Sequence, residues 1–381
     1  MPAPPGSQDP PIAVPDARRE RRLREAVVAR VRKDGFLRFD EFLAIVLHDP
    51  SDGYYAGDRE VVGRRGDFKT APEAHPLFGA TWATFVQATW ERLGRPAELP
   101  LVELGPGRGY LLEGLLDELL RRGHPAERFP VHLVDVRRPR SGPLADPSGV
   151  PVPLRWSRSV EDLPSFSQAV VLANEFFDAL PFRRFRYARG TWLELGVVED
   201  RVGGLTWGPG EPTDAATLAR LPTGAPERVI YDAPLAAEAT LRTLLSRVSH
   251  GSVVVSDYGD EASGLWVRHP EGSLASYHRH RAGTDPFVHL GDQDLSCWLD
   301  FSSLREAFED AGWRTTPLRS QAEALIEAGL GERTEEWHAR TGRETAEGVL
   351  AQLAVKTLLF GYPNHRVLTA VRDRPTSPGP R

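Results

Sequence analysis

The sequence predicts an α/β fold with a parallel, doubly wound sheet. Three observations carry that expectation. Short apolar runs at 100–104, 131–135, 152–156, 168–173 and 251–256 alternate with helical patterns. The first run ends Val102-Glu103-Leu104 and opens into Gly105-Pro106-Gly107-Arg108-Gly109, followed by an amphipathic stretch from Tyr110. That order reads strand, glycine turn, helix. The second run ends in Asp135, where an acid can grip a ribose hydroxyl pair.

Residues 1–15 hold six prolines and no apolar period, so they read as a disordered tail. Asp16 can cap a helix to about Lys33, with Leu23, Val27, Val28 and Val31 on one face and Gly35 as its stop. A second helix starts at Asp40 and carries Phe42, Leu43, Ile45, Val46 and Leu47. A turn cluster at 48–53, a Gly/Asp/Arg-rich loop at 57–70 and a helix over 76–93 complete an N-terminal helical region spanning 16–95. The core is expected over 96–330. The gap between 174 and 250 is too long for one crossover, and short antiparallel strands read at 183–187, 191–198 and 203–207. A β-rich insertion at about 182–232 therefore follows the fourth core strand, where ligands sit in open α/β sheets. It reads either as a lid that shapes the substrate site or as a packing hairpin. Residues 331–371 read as C-terminal helical and strand elements, and 372–381 as a second disordered tail.

Composition excludes several classes. The 381 residues carry a formal net charge of −6, which does not suit a nonspecific binder of nucleic acid or anionic membrane. No apolar run approaches the roughly 20 residues of a membrane helix, so no membrane insertion is expected. The single cysteine, Cys297, rules out an internal disulfide framework and a cysteine-rich metal site. His278-x-His280 with His289 lacks a nearby cluster of acidic or thiol ligands, so no metal is expected. A cytoplasmic protein is the default expectation.

The glycine loop is the first chemical landmark. Its spacing is G-x-G-x-G, whereas the dinucleotide fingerprint is G-x-G-x-x-G. S-adenosylmethionine (SAM) fits this spacing better than NAD, because it has no phosphate to seat on a helix N-terminus. Its cationic amino acid part would welcome the carboxylate of Glu103. Taken alone, such a loop also occurs as a plain tight turn. The second landmark is Asn174-Glu175-Phe176-Phe177-Asp178-Ala179-Leu180-Pro181 at the end of the fourth strand. An amide carbonyl there can orient an amine or guanidinium, and Glu175 with Asp178 can clamp one. The bland alternative has both acids capping the next turn. Asp67 and Thr70, in the loop containing Gly66, could reach the cofactor from above the sheet. Asp257 faces the cleft or begins a turn.

These segments resemble the MidA family of SAM-dependent methyltransferases, which includes a mitochondrial complex I assembly methyltransferase. The resemblance rests on Asp52-Gly53-Tyr54-Tyr55, Gly66-Asp67-Phe68-Lys69-Thr70-Ala71-Pro72-Glu73, Phe78-Gly79, Val102 to Gly109 and Asn174 to Pro181. Asp257-Tyr258-Gly259, Gly272-Ser273-Leu274 with Tyr277 and His280, and Asp294-Leu295-Ser296 with Asp300-Phe301 continue it. It implies a class I (Rossmann-like) methyltransferase core with an added helical and β-rich region. It implies SAM held by Gly105, Gly107, Gly109 and Asp135, helped by Gly66, Asp67 and Thr70. It places arginine chemistry on Asn174, Glu175 and Asp178, with a protein substrate, a respiratory complex subunit among the candidates. A homodimer is left open. The departures are Asp135 for Glu, Val136-Arg137-Arg138-Pro139-Arg140 after it, Trp298 for His, and Gly361-Tyr362-Pro363-Asn364-His365-Arg366 for a Met-Gly stretch. The expected activity is methyl transfer from SAM to a protein arginine. The alternatives are methylation of a small-molecule oxygen or nitrogen, and a non-catalytic assembly scaffold on the same fold.

Overall fold

The structure is a computed structural model that describes residues 17–55, 70–139, 141–146, 149–210, 213–278 and 281–374. Gly66, Asp67, His280, the expected tail 1–15, the expected cap Asp16 and residues 375–381 of the second expected tail lie outside the described residues, whereas Arg372, the first residue of that tail, ends a strand. The core strands in chain order are β1 (Leu101–Leu104), β2 (Val131–Val134), β3 (Leu154–Ser157), β4 (Ala169–Asn174), β5 (Gly251–Asp260), β6 (Arg314–Thr315) and β7 (His365–Arg372). Their order in space is β3-β2-β1-β4-β5-β7-β6. Strands β1 to β5 are parallel, as the alternation of apolar runs and helices predicts. Strand β7 runs antiparallel to β5, and β6 antiparallel to β7, so the sheet is mixed and not parallel throughout. The chain reaches β7 from the helix Ala346–Phe360 and enters the sheet at the carboxyl end of β5, where Tyr258 pairs with His365. A strand entered from that end can only run back against its neighbour. The sheet therefore includes residues beyond 330, which the sequence reading placed outside the core.

Helices cover both faces. Leu77–Arg92, Tyr110–Arg121 and Ala346–Phe360 bury Phe78, Leu115 and Leu358 against Val131 and Val254 on one side. Leu235–Arg247 and Phe301–Asp310 bury Leu241 and Phe308 against Val102, Val171 and Val255 on the other. The first pair of helices crosses almost backbone to backbone. A Cβ on Gly79 would lie 2.2 Å from the Leu111 carbonyl oxygen, and one on Gly114 would lie 2.5 Å from that of Pro76. Only glycine permits this approach, and it brings the segment starting at Thr70 to the rim of the glycine loop.

Glu118, on the second of these helices, is a buried anion held by three arginines. Arg121 and Arg122 reach it at 2.7 Å, and Arg333 at 2.8 Å from the helix Leu330–Thr341. Together they hold its carboxyl below the usual range in spite of burial. We expect Glu118→Ala to cost about 3 kcal/mol, because it removes the buried anion shared by Arg122 and Arg333, whose side chains are largely buried. A urea melt showing a loss under 1 kcal/mol would refute this.

The region between β4 and β5 forms a second sheet, ordered Leu37–Arg38, Thr191–Glu199, Arg183–Ala188, Ile230–Ala233, with Leu205–Pro209 on Thr191–Glu199. The N-terminal segment thus donates a strand to the insertion. Their shared core contains Leu23, Phe39, Phe42, Tyr54, Phe182 and Val197. Arg184 and Asp232 make a buried ion pair at 3.2 Å, and Asp232 also accepts from the backbone of Ser273 (2.6 Å) and Leu274 (2.8 Å). That network ties the inserted sheet to Ala275–His278, one edge of the cleft described next.

Candidate active site

A cleft of about 930 Å³ lies at the carboxyl ends of β1, β2, β4 and β5. Much of its lining comes from two parts of the chain. The sheet supplies Gly105, Gly107, Asp135, Glu175, Asp178 and Tyr258. The N-terminal region and the segment after β5 supply His48, Tyr55, Thr70, Tyr277, Asp294 and Trp298.

The glycine loop turns through three left-handed positions, with φ of 63° at Gly105, 51° at Gly107 and 90° at Gly109. Each does something different. Among the described residues, a Cβ on Gly107 would meet no atom within 4 Å, and Gly107 lines the cleft. A Cβ on Gly105 would lie 2.9 Å from Phe176 Cδ2, so this glycine sets how closely the loop and the Asn174–Pro181 segment pack. Gly109 caps the helix Tyr110–Arg121, and Leu144 fills the space beside it; it does not line the cleft. Asp135 follows β2, and the Arg137 backbone N–H donates to its Oδ1 at 3.1 Å. Burial pushes its carboxyl up and the hydrogen bonds around it pull it back. Thr70 stands at the rim as the residue before the short helix Ala71–Ala74.

Glu103 takes a different place from the one its sequence position suggests. It points into the core at 4% exposure and does not line the cleft. Its Oε2 has no hydrogen-bond partner among the described residues, and burial pushes its carboxyl up to about 8. A carboxyl raised this way favours the fold fully below its ordinary value of 4.5, and that advantage is lost as pH rises through about 8. We expect Glu103→Gln to melt like the parent at pH 4.5 and increasingly above it up to pH 8. Equal melting temperatures at pH 8 would show that Glu103 keeps its charge there.

The acidic end of the cleft is built on the turn after β4. Glu175 adopts φ 52°, a strained left-handed conformation for a residue with a Cβ. Its N–H donates to the Ser256 carbonyl at 2.8 Å, and its Oε1 accepts from Asn174 Nδ2 at 3.2 Å. The turn is pinned from β5 by Asp257, which is fully buried. The Asp257 Oδ2 accepts from Phe177 N–H (3.0 Å) and Asp178 N–H (3.3 Å), while Oδ1 accepts from Tyr258 N–H (2.9 Å). Burial, then the charge of Glu175, pushes Asp257 up to about 8. Burial, then Asp257, Glu175 and Asp294, holds Asp178 well above the usual carboxylate range. Across the cleft, Tyr55 Oη donates to Asp294 Oδ1 at 2.7 Å. Among the described residues, neither Arg nor Lys ion-pairs with Glu175, Asp178 or Asp257. The buried Oδ1 of Asn174 has no hydrogen-bond partner there either.

Of the site residues expected from sequence, Gly105, Gly107, Asp135, Thr70, Glu175 and Asp178 come together on one cleft. Asn174 stands one residue behind it and holds Glu175. Tyr55, Tyr277 and Asp294 were legible only as parts of a resemblance, and Tyr258 beside Asp257 likewise. Asp257 supports the site from behind.

A mixed seven-strand core in this order, with a glycine loop after β1 and an acid after β2, defines the site as that of a class I methyltransferase. A model of an S-adenosyl-L-methionine-dependent methyltransferase family matches residues 81–318, and the chain belongs to that family. It is similar to the mitochondrial protein arginine methyltransferase NDUFAF7 homolog of Drosophila melanogaster, at 28% identity over 76% of this chain and 70% of the relative. The human mitochondrial protein arginine methyltransferase NDUFAF7 is also 28% identical, over 72% of this chain and 66% of the relative. Among solved structures, a Burkholderia thailandensis protein bound to S-adenosyl-homocysteine shares 29% identity with a TM-score of 0.81, covering 96% of this chain and 95% of that one. The methyl donor is SAM. The open space over Gly107 and the carboxylate of Asp135 fit its adenosine part.

Proposed function

We propose that this methyltransferase modifies a guanidinium nitrogen of an arginine in a protein acceptor. One observation carries the reading: Glu175 and Asp178 line the cleft with Asp257 behind them, and no described Arg or Lys pairs with any of the three. Burial, then the neighbouring acids, raises Asp178 and Asp257, and an incoming cation stabilises such carboxyls. A guanidinium matches the need, being planar, permanently charged and able to bond a carboxylate through two N–H groups. The names of the curated relatives point the same way.

SAM supplies an electrophilic methyl on a sulfonium. The chain's own residues do the rest. Glu175 and Asp178 hold the guanidinium. Asn174 keeps Glu175 in place through Nδ2 and leaves Oδ1 to accept a second N–H. Tyr55, Tyr258 and Tyr277 wall the cleft and exclude water. Rate enhancement comes from alignment and from fixed negative charge beside a nitrogen that must shed a proton.

The test is incubation of the full chain and radiolabelled SAM with a lysate from cells lacking it, followed by mass spectrometry. Methylated arginine in a protein is the expected product. Label confined to a small metabolite, or no transfer despite calorimetric SAM binding, would overturn the proposal.

A further inference from the structure

His365 is the first residue of β7 and is completely buried. The antiparallel register opposes it to Tyr258, at the functional end of β5. Its ring packs 3.9 Å from that of Tyr258 and 5.0 Å from that of Tyr362, centroid to centroid. Its Nε2 lies 3.4 Å from Glu175 Oε1. Among the described residues, neither ring nitrogen has a hydrogen-bond partner. A buried imidazole with two unsatisfied nitrogens is costly unless the site uses it. This one sits directly behind the carboxylate that faces the acceptor.

We propose that His365 is a positioning residue that acts through Glu175, as the buried store for the proton that leaves the acceptor. This rests on the arginine reading above. As the N–CH3 bond forms, the S–CH3 bond breaks and its electron pair stays on sulfur. The displaced N–H proton passes to the Glu175 carboxylate and from Oε1 to His365 Nε2. The state that results is a carboxylate–imidazolium pair beside a still cationic methylarginine. Tyr258 and Tyr362 keep water from that pair. When the product leaves, the proton returns through Glu175 to solvent.

Two variants of the full chain test this in the labelled-lysate assay. His365→Gln keeps a polar group facing Glu175 but cannot take a proton; His365→Phe keeps only the ring. We expect both to slow arginine labelling tenfold or more, with S-adenosyl-homocysteine affinity by calorimetry within twofold of the parent. A parental rate in His365→Gln would overturn the proton role. A parental rate in both would leave His365 as packing only. If wild type labels no arginine, the function proposed above fails, a result distinct from either. A second readout needs no acceptor and no His365 variant. With S-adenosyl-homocysteine bound, the His365 Nε2 resonance of ¹⁵N-histidine-labelled protein should shift in Glu175→Gln. An unchanged resonance would overturn the dyad.

Discussion

Glu175→Gln is expected to lower methyl transfer about a hundredfold, on the scale of losing one positioned acid–base group, while SAM still binds. Glutamine preserves the volume and the contact with Asn174, but it removes the charge that holds the guanidinium and receives its proton. The same change should stabilise the protein at neutral pH. Glu175 is among the charges that push Asp178 and Asp257 up, so neutralising it relieves both. A less active yet higher-melting variant is the signature of charges gathered for function at the expense of the fold. Initial rates on the labelled-lysate acceptor, paired with a thermal melt, decide it. A wild-type rate with Glu175→Gln would end the clamp role.

Gly107→Leu should abolish SAM binding with little damage to the fold. Among the described residues a Cβ there meets no atom within 4 Å, so the added side chain enters the cleft and not the core. The backbone cost of a side chain at φ 51° is about 1–2 kcal/mol, a few degrees of melting for a chain this size. The ligand cost is far larger, because the leucine occupies the volume assigned to the donor. Calorimetry should show affinity weakened by more than a hundredfold. Gly79→Leu is the contrast: there a Cβ strikes the Leu111 carbonyl, and the expected result is unfolding. Retained SAM binding by Gly107→Leu would move the donor away from this loop.

What could be read from sequence was what is local in sequence. Strand, glycine turn and helix follow one another within residues 101–121, so the loop and its left-handed turns were legible in order. Asp135 and Glu175 were legible because each ends an apolar run. Glu103 was misplaced for the opposite reason. Alternation on a strand buried on both faces does not say which acid looks at a ligand and which looks at the core. The positions of Tyr55, Asp294 and His365 are set by contacts between residues far apart in the chain, and no local pattern announces them. The N-terminal strand Leu37–Arg38 is too short to carry a period at all, yet its register against Val197 and Gly196 joins two distant parts of the chain.

The interior position of β7 has a consequence for how the protein is made. Strand β5 is complete at residue 260, but its partner on that side arrives only with residues 365–372. At about 5–20 residues per second, the nascent chain spends roughly 5–20 s with the edge of β5 unpaired. That edge carries Val253, Val254 and Val255, a run suited to pairing with another chain. The ribosome-bound intermediate is therefore the species most in need of a chaperone, and a stop codon before residue 365 should yield aggregates rather than a smaller folded protein.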